Sequence, residues 1–151
     1  MENPGFDQSL GLTNWFSYDP LATFNSDDSD SCSGSGSAQL VYQEPVAWGL
    51  VKQCVQIAPN TSYWFGFRYK GPDSVLDTHV QFFAGGTCSG DVLGSINMQI
   101  TAGSTATSWL SAWDAGTSPP NSGSAEVYLQ VSGTETAWVD SVYLNAETNS
   151  F

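Results

Sequence analysis

The 151-residue chain is 40% hydrophobic and 13% aromatic, enough for one packed core and too little for two. Three basic residues face fifteen acidic ones, and the formal net charge of −12 repels polyanions at long range, which excludes nucleic acid and acidic membranes as partners. A single histidine and three cysteines without paired spacing exclude the common transition-metal sites.

The chain opens on Asn3-Pro4-Gly5-Phe6-Asp7 with neither a basic nor an apolar leader, so Met1 reads as an added start on a module cut from a longer protein. Trp15 follows and is expected to pack in the core, as are Trp109 and Trp138. Residues 25–37 form one polar, low-complexity stretch that reads as an exposed loop. Its run Asp27-Asp28-Ser29-Asp30 lacks the glycine and distal glutamate of a calcium loop and is expected to be a solvated acidic turn.

From there the apolar residues alternate with polar ones. Strands are predicted over residues 37–43, 49–57, 61–70, 78–83, 93–100, 125–132 and 137–144. The clearest is 61–70, where Tyr63, Phe65, Phe67 and Tyr69 share one face and Trp64, Gly66, Arg68 and Lys70 the other. Turn chemistry separates the strands at residues 58–60, 70–73 and 84–86, and a loop is predicted over 116–123. No stretch shows helical periodicity, and no apolar run reaches the roughly 18 residues that a membrane helix needs. The chain is therefore read as all-β, a two-sheet antiparallel β-sandwich spanning residues 1–145, with 146–151 as a linker remnant. Cys54 falls in a predicted strand and Cys88 just after another, so a Cys54–Cys88 disulfide is expected with Cys32 left over, although spacing alone does not fix connectivity.

Four motifs at the ends and middle of the chain occur in a telling order. They are Asn3-Pro4-Gly5-Phe6-Asp7 with Asn14-Trp15, then Ser35-Gly36-Ser37-Ala38-Gln39-Leu40 and Pro59-Asn60-Thr61-Ser62-Tyr63, and finally Trp138-Val139-Asp140-Ser141-Val142-Tyr143-Leu144. Together they resemble the carbohydrate-binding modules of the family 4, 9 and 22 type, which are β-jelly-rolls. The resemblance implies a structural calcium held by Asp7 and Asp140, with backbone carbonyls near Ser35 and Ala38 completing an all-oxygen shell. Asp7 is shorter than the family's glutamate at that position, and Ser35 stands where a second acid is common.

Sugars are held by aromatic faces against ring C–H groups and by polar side chains on the hydroxyls. The resemblance places the ligand groove on the non-core face of the central strands. Trp64 is the expected stacking ring, with Arg68 where the family often has a platform tryptophan, and Gly66 leaving a gap between them. His79 and Gln81 are expected from a neighbouring strand, Tyr128 and Gln130 from the strand 125–132, and Trp48 and Trp113 as walls contributed by loops. Lys52, Arg68 and Lys70 are all the basic residues there are, and their proximity in sequence suggests an electropositive spot for a uronate-bearing glycan. No catalytic constellation appears: there is no Gly-x-Ser-x-Gly elbow, His-Glu-x-x-His motif or phosphate loop.

These features lead to the expectation of a non-catalytic, secreted module, monomeric within a larger multidomain chain. It would dock its parent protein onto a polysaccharide or oligosaccharide such as β-glucan, xylan or a uronate-bearing glycan. The alternative is a structural or adhesive β-sandwich of a surface protein that shares the fold and the disulfide but has no glycan groove.

Overall fold

Alternation of buried and exposed side chains gives each long strand one apolar face, and two such sheets bury those faces against each other. The structure is a computed structural model that describes residues 1, 4–17, 20–43, 47–71, 75–101, 107–132 and 136–146. Asn3 of the opening motif, Pro72 and Asp73 of the predicted turn and the tail 147–151 lie outside the described residues. The strands are β1 (Phe16–Ser17), β2 (Ala22–Asn25), β3 (Ser37–Gln43), β4 (Ala47–Trp48), β5 (Leu50–Gln56) and β6 (Ser62–Lys70). They continue with β7 (Val75–Phe83), β8 (Val92–Thr101), β9 (Leu110–Thr117), β10 (Ser124–Ser132) and β11 (Thr136–Asn145).

Five strands form one antiparallel sheet in the order β1-β5-β10-β7-β8. The other sheet runs β2-β3-β11-β6-β9, with β4 paired to β3. The core between them is built from the alternation already legible in sequence. Phe65, Phe67, Val80, Val127, Leu129 and Val131 are each fully enclosed, and Tyr63 and Tyr69 nearly so. Fully burying one such side chain contributes roughly 1.5–3 kcal/mol relative to leaving it exposed, so this layer dominates stability. Phe6 and Trp15 close one end of the core, their rings 5.4 Å apart.

The predicted disulfide joins Cys54 of β5 to Cys88 in the β7–β8 connection, and Cys32 is free and exposed. Four strands escaped the sequence reading: β1, β2, β4 and β9. The last of these runs into the segment read as a loop, since residues 116 and 117 belong to it. Trp15 joins the core as expected, but Trp109 and Trp138 do not. They flank Lys70, whose Nζ lies 5.1 and 5.4 Å from their ring centres. Trp138 pairs with Lys70 across β11 and β6 in a row that alternates with the core-facing Val139 and Tyr69, so it faces outward.

Candidate functional site

The residues expected to share one groove lie on opposite faces of the sandwich. Trp64 and Arg68 are on β6 of the six-stranded sheet, whereas His79 and Gln81 are on β7 and Tyr128 and Gln130 on β10 of the five-stranded sheet. The neighbours of β6 are β11 and β9, not β7. Each strand was correctly divided into core and outer faces, but the outer faces of β6 and β7 look in opposite directions.

On the five-stranded sheet the register aligns one outward side chain from every strand. Phe16 pairs with Lys52, Lys52 with Tyr128, Tyr128 with His79, and His79 with Asn97. The flanking rows are mostly polar: the half-cystine Cys54 with Glu126, Gln81 and Ser95 on one side, and Gln130, Asp77 and Gln99 after the buried Leu50 on the other. Within the face, the His79 and Tyr128 rings stack with centroids 4.3 Å apart and planes 8° from parallel. Tyr128 Oη donates to Gln130 Oε1, Gln99 Nε2 donates to Asp77 Oδ1 at 2.6 Å, and Lys52 pairs with Glu126 at 2.9 Å. Lys52 also lies 5.3 Å from the centre of the Phe16 ring, which is half exposed. A groove of about 470 Å³ beside it is lined by Phe16, Leu50, Lys52, Cys54, Glu126 and Tyr128. Burial holds the His79 imidazole below its ordinary pKa, against the upward pull of Glu126 and Asp77. Trp48, 43% exposed, ends β4 and pairs with Tyr42 of β3, a strand of the six-stranded sheet, so it is not brought to this row.

This face contains residues that alternation alone did not single out. Lys52, Glu126, Asn97 and Gln99 are the polar partners of recognised strand positions and were findable once register was known. Phe16 lies in a two-residue strand and carried no sequence signal.

The six-stranded sheet presents a different surface. Gly66 leaves no gap, because Tyr143 of β11 crosses it; a Cβ at Gly66 would stand 2.5 Å from the Tyr143 Oη. Trp113 is on strand β9 and not in a loop, and its ring centre is 5.1 Å from that of Trp64. The acidic stretch 27–30 is exposed at Asp27 and Asp30, as expected, but its side chains also make specific contacts. Asp27 pairs with Lys70, Asp30 with Arg68 at 3.3 Å, and the Ser29 N–H donates to Asp140 Oδ2. Lys52 is on the other sheet, so the expected electropositive cluster does not form, and each of the three cations already faces an acid of its own chain.

Around the opening motif the chain ends do meet. Val142 N–H donates to Pro4 O, Ser35 Oγ to Gly5 O at 2.7 Å, and Gln8 N–H to Gly34 O. A Cβ at Gly5 would stand 3.5 Å from Ser35 Oγ and 3.9 Å from Asp140 Oδ1, so these two oxygens flank one small cradle. Asp140 is completely enclosed, and burial pushes its carboxyl pKa up to about 6. Enclosed carboxylate and hydroxyl oxygens suit a hard cation. Asp7 is exposed, and its Oδ1 accepts from the Ser9 N–H and hydroxyl. Ala38 lies on β3 in the ladder between β2 and β11, opposite Phe24 and Val139, the residue before Asp140.

Comparison with solved structures places this architecture among known folds. A family 61 carbohydrate-binding module in complex with β-1,4-galactotriose superposes with a TM-score of 0.70 at 17% identity, over 97% of both chains. The chain has the carbohydrate-binding-module β-sandwich fold. A family 16 carbohydrate-binding module matches with a TM-score of 0.67 at 16% identity, covering 93% of this chain and 96% of that one. The enzymatically active domain of bacteriophage CBA120 tailspike protein 4 matches with a TM-score of 0.76 at 18% identity. There the match covers 96% of this chain but only 21% of the tailspike chain. No protein-family model matches the sequence, and no curated protein does.

Proposed function

We propose that the chain is a non-catalytic carbohydrate-binding module that takes a polysaccharide or oligosaccharide across the outer face of the five-stranded sheet. The observation that carries this reading is the row Phe16, Lys52, Tyr128, His79 and Asn97, one outward side chain from each of five adjacent strands. An extended face that mixes exposed rings with amides and charged groups is what a sugar chain needs: ring faces for the C–H side, polar atoms for the hydroxyls. The acids on this face support binding over catalysis, since Glu126 is held by Lys52 and Asp77 by Gln99. The disulfide suits an oxidising, extracellular setting for a module carried by a larger secreted protein. The pairing of every cation with an internal acid favours a neutral glycan of the xylan, β-glucan or galactan kind over a uronate-bearing one.

Calorimetric titration with soluble xylan, β-glucan and β-1,4-galactan tests the reading. Saturable binding to one of them, weakened about tenfold or more by Tyr128→Ala, about 1.4 kcal/mol, is the expected result. Binding that ignores both Tyr128→Ala and His79→Ala removes this face from consideration.

A structural calcium belongs to the same proposal, with Asp140, Ser35 and Asp7 as its side-chain donors and backbone carbonyls near Ser35 and Ala38 completing the shell. Calcium is expected to raise the melting temperature, EDTA to reverse the gain, and Asp140→Asn to abolish the response. A melting temperature indifferent to calcium in the native chain dismisses the ion.

A further inference from the structure

The outer face of the six-stranded sheet carries an aromatic pair that the proposed site does not use. Trp64 of β6 and Trp113 of the edge strand β9 lie with ring centroids 5.1 Å apart and planes tilted by 52°, and Trp113 is 51% exposed. Their placement follows from register. Trp113 is opposite Gly66, which the Tyr143 ring crosses, and Trp64 is opposite Ala115 on one side and Asn145 on the other, so an aromatic ring, a small residue and an amide surround the pair. Beyond them, Ser62 pairs with Thr117, their hydroxyls 3.3 Å apart. The cations of this sheet are drawn to its other end, where Asp27 and Asp30 hold Lys70 and Arg68.

We propose that the Trp64–Trp113 pair is a second carbohydrate site, which takes a neutral polysaccharide with the C–H faces of its sugar rings against the indoles. The dimensions favour this occupant. Two aromatic side chains bury about 150–250 Å² each, well short of the roughly 800 Å² per partner that a stable protein interface removes from water. A second copy of the chain, itself carrying a charge of −12, gains too little here to offset the repulsion. A neutral sugar chain needs only a ring face and nearby hydroxyl or amide groups, which Ser62, Thr117 and Asn145 provide. The sheets pack about 10 Å apart with their outer faces directed away from each other, so one straight glycan does not reach both sites. The module then grips two polysaccharide chains at once.

This inference rests on the glycan-binding reading of the molecule, and the experiment separates the two. The whole chain and its Tyr128→Ala, Trp113→Ala and doubly substituted forms are titrated calorimetrically with xylohexaose, β-1,4-galactotriose and a β-glucan oligosaccharide. The expected result is weaker but saturable binding in Tyr128→Ala that disappears in the double variant and returns with Trp113→Phe in place of Trp113→Ala. Complete loss in Tyr128→Ala overturns the second site and leaves the first. Loss in Trp113→Ala with Tyr128→Ala unaffected keeps this pair and overturns the site on the five-stranded sheet. Binding indifferent to both substitutions, or absent with every probe, overturns both. Self-association that Trp113→Ala abolishes makes the pair a protein interface and overturns the second site.

Discussion

His79 is the residue whose chemistry is most exposed to test. It lies half-buried against the Tyr128 ring, with Glu126, Asp77 and Lys52 as the charged groups around it. Burial outweighs the two acids, so its folded pKa lies below the ordinary 6.5. A lowered histidine pKa means that the folded chain takes up its proton less readily than the unfolded one. The associated stability is therefore fully present above pH 6.5 and is lost as pH falls through the folded value. The same protonation puts a charge on the flat face that the stack presents to a sugar. Glycan affinity is accordingly expected to stay flat down to about pH 6.5, the ordinary histidine value, and to decline only as pH falls through the lower folded value. His79→Gln, which cannot titrate, is expected to flatten that decline. An equally steep decline in the His79→Gln variant assigns the effect to another group.

At the scale of elements, what was legible in the sequence and what was not divide cleanly. Alternation is a local property, so the core faces of residues 61–70, 78–83 and 125–132 were readable from Tyr63 to Val131. Sheet membership is set by which distant strands pair, and nothing within β6 or β7 encodes it; Trp64 and His79 were therefore assigned to one groove although they lie on opposite faces. The edge strand β9 was missed because only Ala112 is buried along it, which leaves no period to detect. The terminal motifs were readable because they do work that residue type reveals, as where Gly5 brings Ser35 and Asp140 to one cradle. Gly49 is a comparable position. It links β4 to β5, its N–H donates to Val41 O, and its own O accepts from Val131 N–H, which ties β3 to β10 across the sandwich. A Cβ there would collide with Leu21 O and stand 2.5 Å from Val41 N. Because both obstacles are backbone, Gly49→Ala is expected to destabilise the fold by about 3 kcal/mol. Denaturant unfolding measures this, and a loss under about 1 kcal/mol shows that the crossing relaxes more easily than close packing allows.

For the whole molecule the decisive quantity is charge. With a net charge of −12, the long-range field opposes any anionic ligand, and the local cations are too occupied to reverse it: Lys52 faces Glu126, Arg68 faces Asp30 and Lys70 faces Asp27. Capturing a uronate requires breaking one of these pairs, and the gain of the new pair only replaces the old. Stacking and hydroxyl contacts carry no such exchange. The two modes differ in how they respond to salt, because screening shortens from about 10 Å at 0.1 M to about 3 Å at 1 M ionic strength. Binding of a neutral glycan is expected to change less than about twofold over that range. Any binding of a uronate-bearing glycan is expected to be weak at low salt and to strengthen as the repulsion is screened. Tight uronate binding at low salt that collapses at high salt means that the cations of the folded chain are free to meet a ligand. That result returns Arg68 and Lys70 to the centre of the site.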